Sequence, residues 1–346
     1  MRSSLIFVPL ALAVVAGGVA VATPEVGTAR PQTDRAAVAR TANEADPYAL
    51  PTKAVEPRPC VPRSGGGGTF HPPKPKVKTK RLPSPLPVTK RTVDLGPLRG
   101  KGMWLTTWED THLDVPRLVT QAKRAGLKQL WVRTGGSRQG WYGTALLTEL
   151  LPAAHAARLA VVAWDFPFLS DPMRDVKRAR KAIEGTFGGQ RIDAFSPDIE
   201  SIYEGTFNAK PRLQLYLSHI RKAAGSMPIV STVMRPTEAQ LRAYPYAAQV
   251  PYIDAFAPMV YWGCHEPGKL AKRSLKVLSR WRPVHLVGQS YDMGGEGGPR
   301  GVPPRREVWR FLDVAKRSGA LGASLYNYDG AHTPQWEALG RFPWSR

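Results

Sequence analysis

From residue 101 onward the sequence alternates between short apolar runs and longer amphipathic segments, and this alternation occurs eight times. Runs such as 160–164 and 255–261 are apolar on both faces, which is typical of parallel strands buried on both sides. We predict strands at 102–108, 129–134, 160–166, 193–200, 229–234, 254–262, 284–290 and 322–328. We predict helices at 114–125, 144–158, 171–184, 210–224, 237–244, 268–281, 304–318 and 334–341.

Eight strand–helix pairs within residues 101–346 predict an α/β fold of the (β/α)8 type, the TIM barrel, whose usual length is about 250 residues. An open doubly wound sheet would alternate in a similar way. However, no glycine-rich phosphate-binding turn follows the first predicted strand. We therefore favour the barrel and expect no cofactor.

The first 22 residues have the features of a secretory signal peptide. Arg2 precedes an apolar run at 5–21, and the small residues at its end predict cleavage after Ala22. A retained membrane anchor is disfavoured because glycines and a proline interrupt a run that is already short for spanning a bilayer. We expect a secreted or cell-wall-associated protein with no transmembrane anchor after cleavage.

Residues 23–100 are rich in Pro, Lys, Thr and Gly, a composition that predicts a disordered linker in front of the barrel. This linker is either a tether through a cell envelope or a plain spacer. The net charge of +22 favours anionic cell-wall polymers as partners of the basic linker, or it only keeps the chain soluble. No cluster of Lys and Arg alternates with aromatic residues, so we expect no nucleic-acid partner.

The chain has two cysteines, Cys60 in the linker and Cys264 in the predicted barrel. In an oxidising compartment they either form one disulfide that holds the linker against the barrel or remain two free thiols. Their spacing does not suggest a metal site.

The active sites of (β/α)8 barrels lie at the C-terminal ends of the strands, and here those ends carry carboxylates, aromatic rings and arginines. Aromatic faces stack on pyranose rings and polar groups bind hydroxyls, so this composition indicates a carbohydrate site. The first predicted strand ends in Trp108, Glu109 and Asp110. The predicted substrate-binding residues are Trp104, Arg133, Asp165, Met259, Trp262, Gln289, Tyr291 and Tyr326.

Structural roles are the alternative for several of these residues. An aspartate at a strand end often caps the next helix. Arg133 and Asp165 are also candidates for a structural ion pair, and Tyr261 and Tyr326 for filling the barrel core.

The fourth predicted strand ends in Asp198 and Glu200, whose side chains point to the same side because they lie two residues apart. Along a strand this separation is roughly 6.6 Å, so each carboxylate affects the pKa of the other. Two inward carboxylates at a barrel mouth lower the stability of the fold, which indicates that they have a function. Paired carboxylates are the catalytic groups of most glycosidases.

This segment resembles the D-x-x-D-x-D-x-E motif of family 18 glycoside hydrolases, the chitinase type. Asp193, Ser196, Asp198 and Glu200 occupy its four positions. The resemblance implies that Glu200 is the general acid and that Asp198 orients the acetamido group of the substrate during substrate-assisted catalysis. Ser196 departs from the motif, since the family has an aspartate there that helps to control the protonation of its neighbour.

Two further segments carry the resemblance. Met259-Val260-Tyr261 is similar to the Met-x-Tyr of the family's sixth strand, where an Asp or Asn usually follows instead of Trp262. Tyr326 is similar to the family's aromatic residue on strand eight, which is usually Trp. More loosely, the chain resembles the family 25 lysozymes, which also place Asp-x-Glu on strand four, and uncharacterised bacterial glycosidase-like barrels.

The sequence thus predicts a secreted glycoside hydrolase that acts on an N-acetylated or cell-wall polysaccharide such as peptidoglycan or chitin. Glu200, Asp198 and Tyr261 are the predicted catalytic residues, as general acid, stabiliser of the positive charge and hydrogen-bond donor. We expect a monomer. The first alternative is a non-catalytic carbohydrate-binding barrel, supported by Ser196. The second is a structural envelope protein in which arginines pair with the carboxylates.

Overall fold

A computed structural model describes residues 54–60, 82–88, 91–107 and 112–344. The predicted signal peptide, most of the predicted linker and the strand-end residues Trp108, Glu109 and Asp110 lie outside these described residues. Within the described part of the chain, no helix combines the length and the hydrophobicity that crossing a membrane requires.

Eight parallel strands form a nearly closed barrel, so the predicted (β/α)8 fold is confirmed. The barrel strands are β1 (Gly100–Leu105), β2 (Gln129–Gly136), β4 (Ala160–Phe166), β5 (Ala194–Ile199), β6 (Val230–Val233), β7 (Ala255–Pro258), β8 (His285–Gln289) and β9 (Gly322–Tyr326). A short strand, β3 (Gly140–Trp141), pairs with the end of β2 in an antiparallel hairpin. The spatial order of the barrel strands is β7-β6-β5-β4-β2-β1-β9-β8, and two isolated bridges, Phe256–Val284 and Met259–Val287, bring β8 back to the β7 side.

Helices surround the barrel and connect consecutive strands. Several start at a side-chain cap followed by proline, because proline is tolerated in the first turn and the cap satisfies a free backbone N–H. Asp114 and Asp171, for example, accept bonds from Arg117 N and Arg174 N. The helices are α1 (Val115–Arg124), α2 (Thr144–Ala156), α3 (Pro172–Glu184), α4 (Lys210–Ala224), α5 (Glu238–Ala243), α6 (Tyr246–Gln249), α7 (Pro267–Leu278), α8 (Arg305–Arg317) and α9 (Thr333–Arg341).

Strand alternation divides the core into an inner and an outer layer. The inner layer fills the barrel and includes Trp104, Trp131 and Trp164. Trp104 stacks on Trp131 with ring centroids 4.5 Å apart, and such large rings leave no open channel through the barrel. The outer layer, to which Phe195 and Ile199 belong, packs the strands against the helices. A strand residue therefore faces either the barrel interior or the helices, and this decides which strand-end residues reach the site.

Parts of the predicted linker contact the barrel. Cys60 forms a disulfide with Cys264, with Cα atoms 5.3 Å apart, so the first of the two alternatives for the cysteines holds. Arg58 next to it forms an ion pair with Glu307 on α8 at 2.9 Å. Further along, Leu86 N donates to the hydroxyl of Ser218 on α4 at 3.0 Å.

Candidate active site

The C-terminal end of β5 presents Asp198 to the barrel interior. Phe195 and Ile199 belong to the outer layer, and Ala194 belongs to the inner layer, so the even-numbered positions of β5 face inward. Asp198 is 8% exposed, and its Oδ1 atom has no hydrogen-bond partner among the described residues. Glu200 is half-buried just beyond the strand. A buried acceptor without a donor is unfavourable, so this oxygen can accept a hydrogen bond from a ligand without giving up a protein donor.

The surroundings raise the pKa of both carboxyl groups. Burial raises the pKa of Asp198 to about 7, against the attraction of Arg133 and with smaller contributions from Asp165 and Glu204. Burial together with Asp198 and Glu204 raises the pKa of Glu200 well above its usual value, although a hydrogen bond from the Ser201 backbone opposes this. Two interacting carboxyls with raised pKa values can hold and transfer a proton near neutral pH.

Three tyrosines form an aromatic cluster at the mouth of the barrel. Tyr261 lies 5.8 Å from Tyr291 and 5.7 Å from Tyr326, and the last two rings are 6.0 Å apart, measured between centroids. Burial raises the pKa of all three phenols, and the charges of Asp198 and Glu200 add to this for Tyr261 and Tyr326. The phenols therefore stay protonated, and those of Tyr261 and Tyr326 can donate hydrogen bonds to a ligand.

Arg133 and Trp164 join this cluster from the neighbouring strands β2 and β4. The guanidinium carbon of Arg133 lies 5.1 Å from the centroid of the Trp164 ring, a cation–π distance. Trp164 contacts Tyr326 with centroids 6.5 Å apart. Trp164 lies beside the predicted site residues that the structure brings together, which are Arg133, Asp198, Glu200, Tyr261, Tyr291 and Tyr326.

Ser196 lies one step further into the barrel than Asp198. Its hydroxyl donates to the carbonyl of Val230 at 2.7 Å and is hydrogen-bonded to the Thr232 hydroxyl at 2.8 Å. It is fully buried and joins β5 to β6. At the other end of the strand, Asp193 accepts bonds from Val161 N and His155 Nε2. The first two motif positions therefore have structural roles here.

Asp165 and Trp262 point away from the mouth, contrary to their predicted place among the substrate-binding residues. Both oxygens of Asp165 accept bonds from Arg178 on α3, at 2.8 and 2.9 Å, so its ion-pair partner is Arg178 rather than Arg133. The Trp262 indole donates to Glu307 at 2.9 Å, and its ring packs on Phe311. Both residues hold helices against the barrel.

The remaining predicted residues lie under or beside the tyrosine cluster. The Trp104 indole is buried inside the barrel, where it donates to the Ser324 hydroxyl at 2.8 Å and supports Tyr326 from 6.1 Å. Gln289 is buried and accepts a bond from Gly263 N at 2.8 Å, so it positions the segment after β7. Met259 is half-buried beyond the end of β7.

Two acidic residues at this site were not predicted. Glu204 lies in the short 3-10 helix Ile202–Glu204 after β5 and acts on the pKa of both Asp198 and Glu200. Glu204 could have been predicted from the sequence, because it lies only four residues after Glu200. Glu296, in the glycine-rich loop after β8, accepts a hydrogen bond from the Tyr291 hydroxyl at 3.2 Å. No sequence pattern predicts the contact between Glu296 and Tyr291. Across the described ranges, no three His, Cys, Asp or Glu side chains are grouped to hold a metal ion.

No family model and no curated protein sequence matches this chain. Solved structures match it at low identity. The Bacillus cereus spore cortex-lytic enzyme SleL matches with a TM-score of 0.54 and 12% identity, covering 71% of this chain and 75% of that one. The GH18 chitinase ChiB of Flavobacterium johnsoniae matches with a TM-score of 0.52 and 9% identity, covering 70% and 93%. A chitinase from Chromobacterium violaceum matches with a TM-score of 0.51 and 11% identity, covering 70% and 98%. The chain therefore has the TIM-barrel fold that these glycoside hydrolases share.

Proposed function

We propose that this protein is a secreted glycoside hydrolase that acts on an N-acetylated or cell-wall polysaccharide such as peptidoglycan or chitin. The observation that carries the proposal is the pair of interacting carboxyls, Asp198 and Glu200, with raised pKa values at the C-terminal end of β5. Barrel enzymes place catalytic groups at such strand ends. The fold shared with chitinases and a spore cortex-lytic enzyme supports the same substrate class, and the signal-like first 22 residues support export.

In this mechanism Glu200 is the general acid. Its raised pKa favours the protonated form, and the carboxylic acid donates its proton to the glycosidic oxygen as the bond to the anomeric carbon breaks. Asp198 stabilises the positive charge that develops, either directly or through the acetamido group of the substrate. Tyr261 donates a hydrogen bond at the same place. A water molecule then adds to the anomeric carbon, and Glu200 takes up the proton that this water loses.

Glu200→Gln is the direct test, because the amide keeps the size of the side chain but has no acidic proton to donate. We expect the loss of hydrolysis of chitin and peptidoglycan fragments, at least 100-fold in kcat, with glycan binding retained. Glu149→Gln is the matched control, since it removes an exposed carboxylate on α2, outside the candidate site, and should keep the activity. Turnover by Glu200→Gln at the wild-type rate would exclude Glu200 as the acid.

A non-catalytic carbohydrate-binding barrel is the second candidate function. It is favoured by Ser196, whose hydroxyl is bonded to Val230 and Thr232 where family 18 enzymes have an aspartate next to their catalytic pair. Binding of the same fragments by the wild-type protein, with no product over a long incubation, would establish this alternative. Product formation that depends on Glu200 would exclude it.

A further inference from the structure

A cleft lies at the end of the barrel opposite to Asp198 and Glu200. It is formed where the chain enters β1, β2, β4 and β9, and the C-terminal segment with Phe342 and Trp344 also lines it. Its volume is about 930 Å³, which is large enough for several repeat units of a linear polymer. None of the residues assigned to the candidate active site lines it.

The lining of this cleft is positively charged. Among the described residues that line it, there is no carboxylate, and five side chains are cationic: Arg99, Lys101, Lys128, Arg158 and Lys316. The nearby Asp94 is bonded to Gly96 N at 2.9 Å. Like charges gathered without a counter-charge favour the binding of an anion.

Three of these cations are available to a ligand. Arg99, Lys128 and Arg158 are exposed, and their side chains form no ion pair within the part of the chain that the structure describes. Lys101 has a different role in the floor of the cleft, where its ammonium donates to the carbonyls of Leu339 and Phe342. Burial and the neighbouring charge of Lys128 lower the pKa of Lys101 to about 8. Burial is the larger of the two causes, and the charge of Lys128 adds to it.

We propose that this cleft binds a linear phosphodiester polymer with a polyol or sugar backbone. Arginine side chains fit tetrahedral phosphate oxygens with two parallel hydrogen bonds, and the cleft presents two of them, Arg99 and Arg158, on either side of Lys128. The site would hold the protein on an anionic polymer while the opposite end of the barrel remains free.

The surroundings of the cleft disfavour two other classes of polyanion. Single-stranded nucleic acid is bound by a series of aromatic side chains on which successive bases stack, and the lining has one half-buried indole, Trp344, at its edge. A membrane surface is bound with the help of exposed apolar residues. The large exposed apolar residues of the described chain are Val88, Met173, Ile202 and Tyr203, and none of them lines the cleft.

The test compares two triple variants with the same change in net charge. The cleft variant is Arg99→Ala/Lys128→Ala/Arg158→Ala. The control is Lys269→Ala/Lys272→Ala/Lys276→Ala, which removes three exposed cations from α7. The probe is poly(glycerol phosphate), titrated into the full-length protein in a calorimeter at several salt concentrations. We expect the cleft variant to lose at least tenfold in affinity with a weaker dependence on salt, and the control to stay within twofold of wild type.

Three results would overturn the proposal: no binding by the wild-type protein, an equal loss in both triple variants, or equally tight binding of polygalacturonate, single-stranded DNA or anionic phospholipid vesicles. Thermal unfolding of each variant shows whether it is folded. Lys128→Glu is a second variant, which should weaken binding more than Lys272→Glu does. The proposal does not depend on the glycoside hydrolase activity, because no candidate active-site residue lines the cleft. For the same reason, the cleft variants should hydrolyse glycans at the wild-type rate.

Discussion

The side chain of Asp198 lies in surroundings that disfavour its ionised form. It is buried, Oδ1 has no described hydrogen-bond donor, and burial raises its pKa from 3.8 to about 7. Because the folded-state pKa lies above the unfolded value, ionisation favours the unfolded state as the pH rises from 3.8 through 7. A residue that lowers stability in this way is typical of functional sites rather than of structural ones.

Asp198→Asn is therefore expected to stabilise the protein at high pH. At pH 8 the variant should gain on the order of 4 kcal/mol in the free energy of unfolding, which is the raised pKa of the carboxyl converted at about 1.4 kcal/mol per pH unit. At pH 4 the carboxyl is protonated in the folded protein, and the gain should nearly vanish. Urea unfolding at the two pH values measures this difference. An equal effect at pH 4 and pH 8 would contradict the raised pKa.

The alternation of strand residues predicts which strand-end side chains face the barrel interior, and it was not applied to Asp165 and Trp262. On β4, Trp164 faces the barrel interior and Asp165 faces α3, as their neighbouring positions require. After β7, Tyr261 faces the tyrosine cluster and Trp262 faces α8. Both outward residues were included in the predicted site because they lie at a strand end. The side of the strand that a residue faces is a better criterion for choosing site residues than its position at the strand end.

At the scale of elements, a buried group of charges connects β4 to α3. Arg178 on α3 donates to both Asp165 on β4 and Asp175 on its own helix, at distances of 2.7–2.9 Å. Ser137, after β2, donates to Asp175 at 2.6 Å. Since two buried carboxylates share a single guanidinium, the removal of the cation would leave two uncompensated charges close together.

Arg178→Met is expected to lower the free energy of unfolding by about 3–5 kcal/mol, the usual effect of removing one partner from a buried ion pair. Arg180→Met, two residues further along the same helix, is the matched control. Arg180 forms an exposed pair with Glu184 at 2.8 Å, and such pairs contribute about 1 kcal/mol or less. Chemical denaturation of both variants gives the comparison. Similar losses in the two variants would show that the buried cluster contributes no more than a surface pair.

Most elements could be predicted because strands and helices differ in periodicity, but their ends depend on contacts between distant residues. The sixth predicted strand, 254–262, ends in the structure at Pro258 of β7. Beyond that point, Val260 N still donates to the Val287 carbonyl, while Tyr261 turns into the tyrosine cluster. The apolar run continues because these residues are buried, and burial alone does not distinguish a strand from the segment that follows it.

For the whole molecule, the eightfold alternation was sufficient to predict the barrel, because a closed parallel ring requires a crossover helix after each strand. The contacts between the linker and the barrel could not be predicted from composition. A segment rich in Pro and Lys reads as disordered, and its attachment depends on a partner far along the chain. Cys60 and Cys264 are 204 residues apart, and both cysteine alternatives were open at the level of sequence.

The disulfide closes a loop that contains most of the barrel, so it limits the freedom of the unfolded chain. Loop-closure entropy for a separation of 204 residues gives about 5 kcal/mol, and the removal of a native disulfide usually lowers the free energy of unfolding by about 2–5 kcal/mol. We therefore expect a loss near the upper end of that range. Cys60→Ser, Cys264→Ser and the double variant should show the same loss, because each of them breaks the same bond. Thermal unfolding with and without a reducing agent checks this. Reduction should destabilise the wild-type protein to the level of the variants and leave the variants unchanged, whereas additive losses in the double variant would mean that the two thiols act independently.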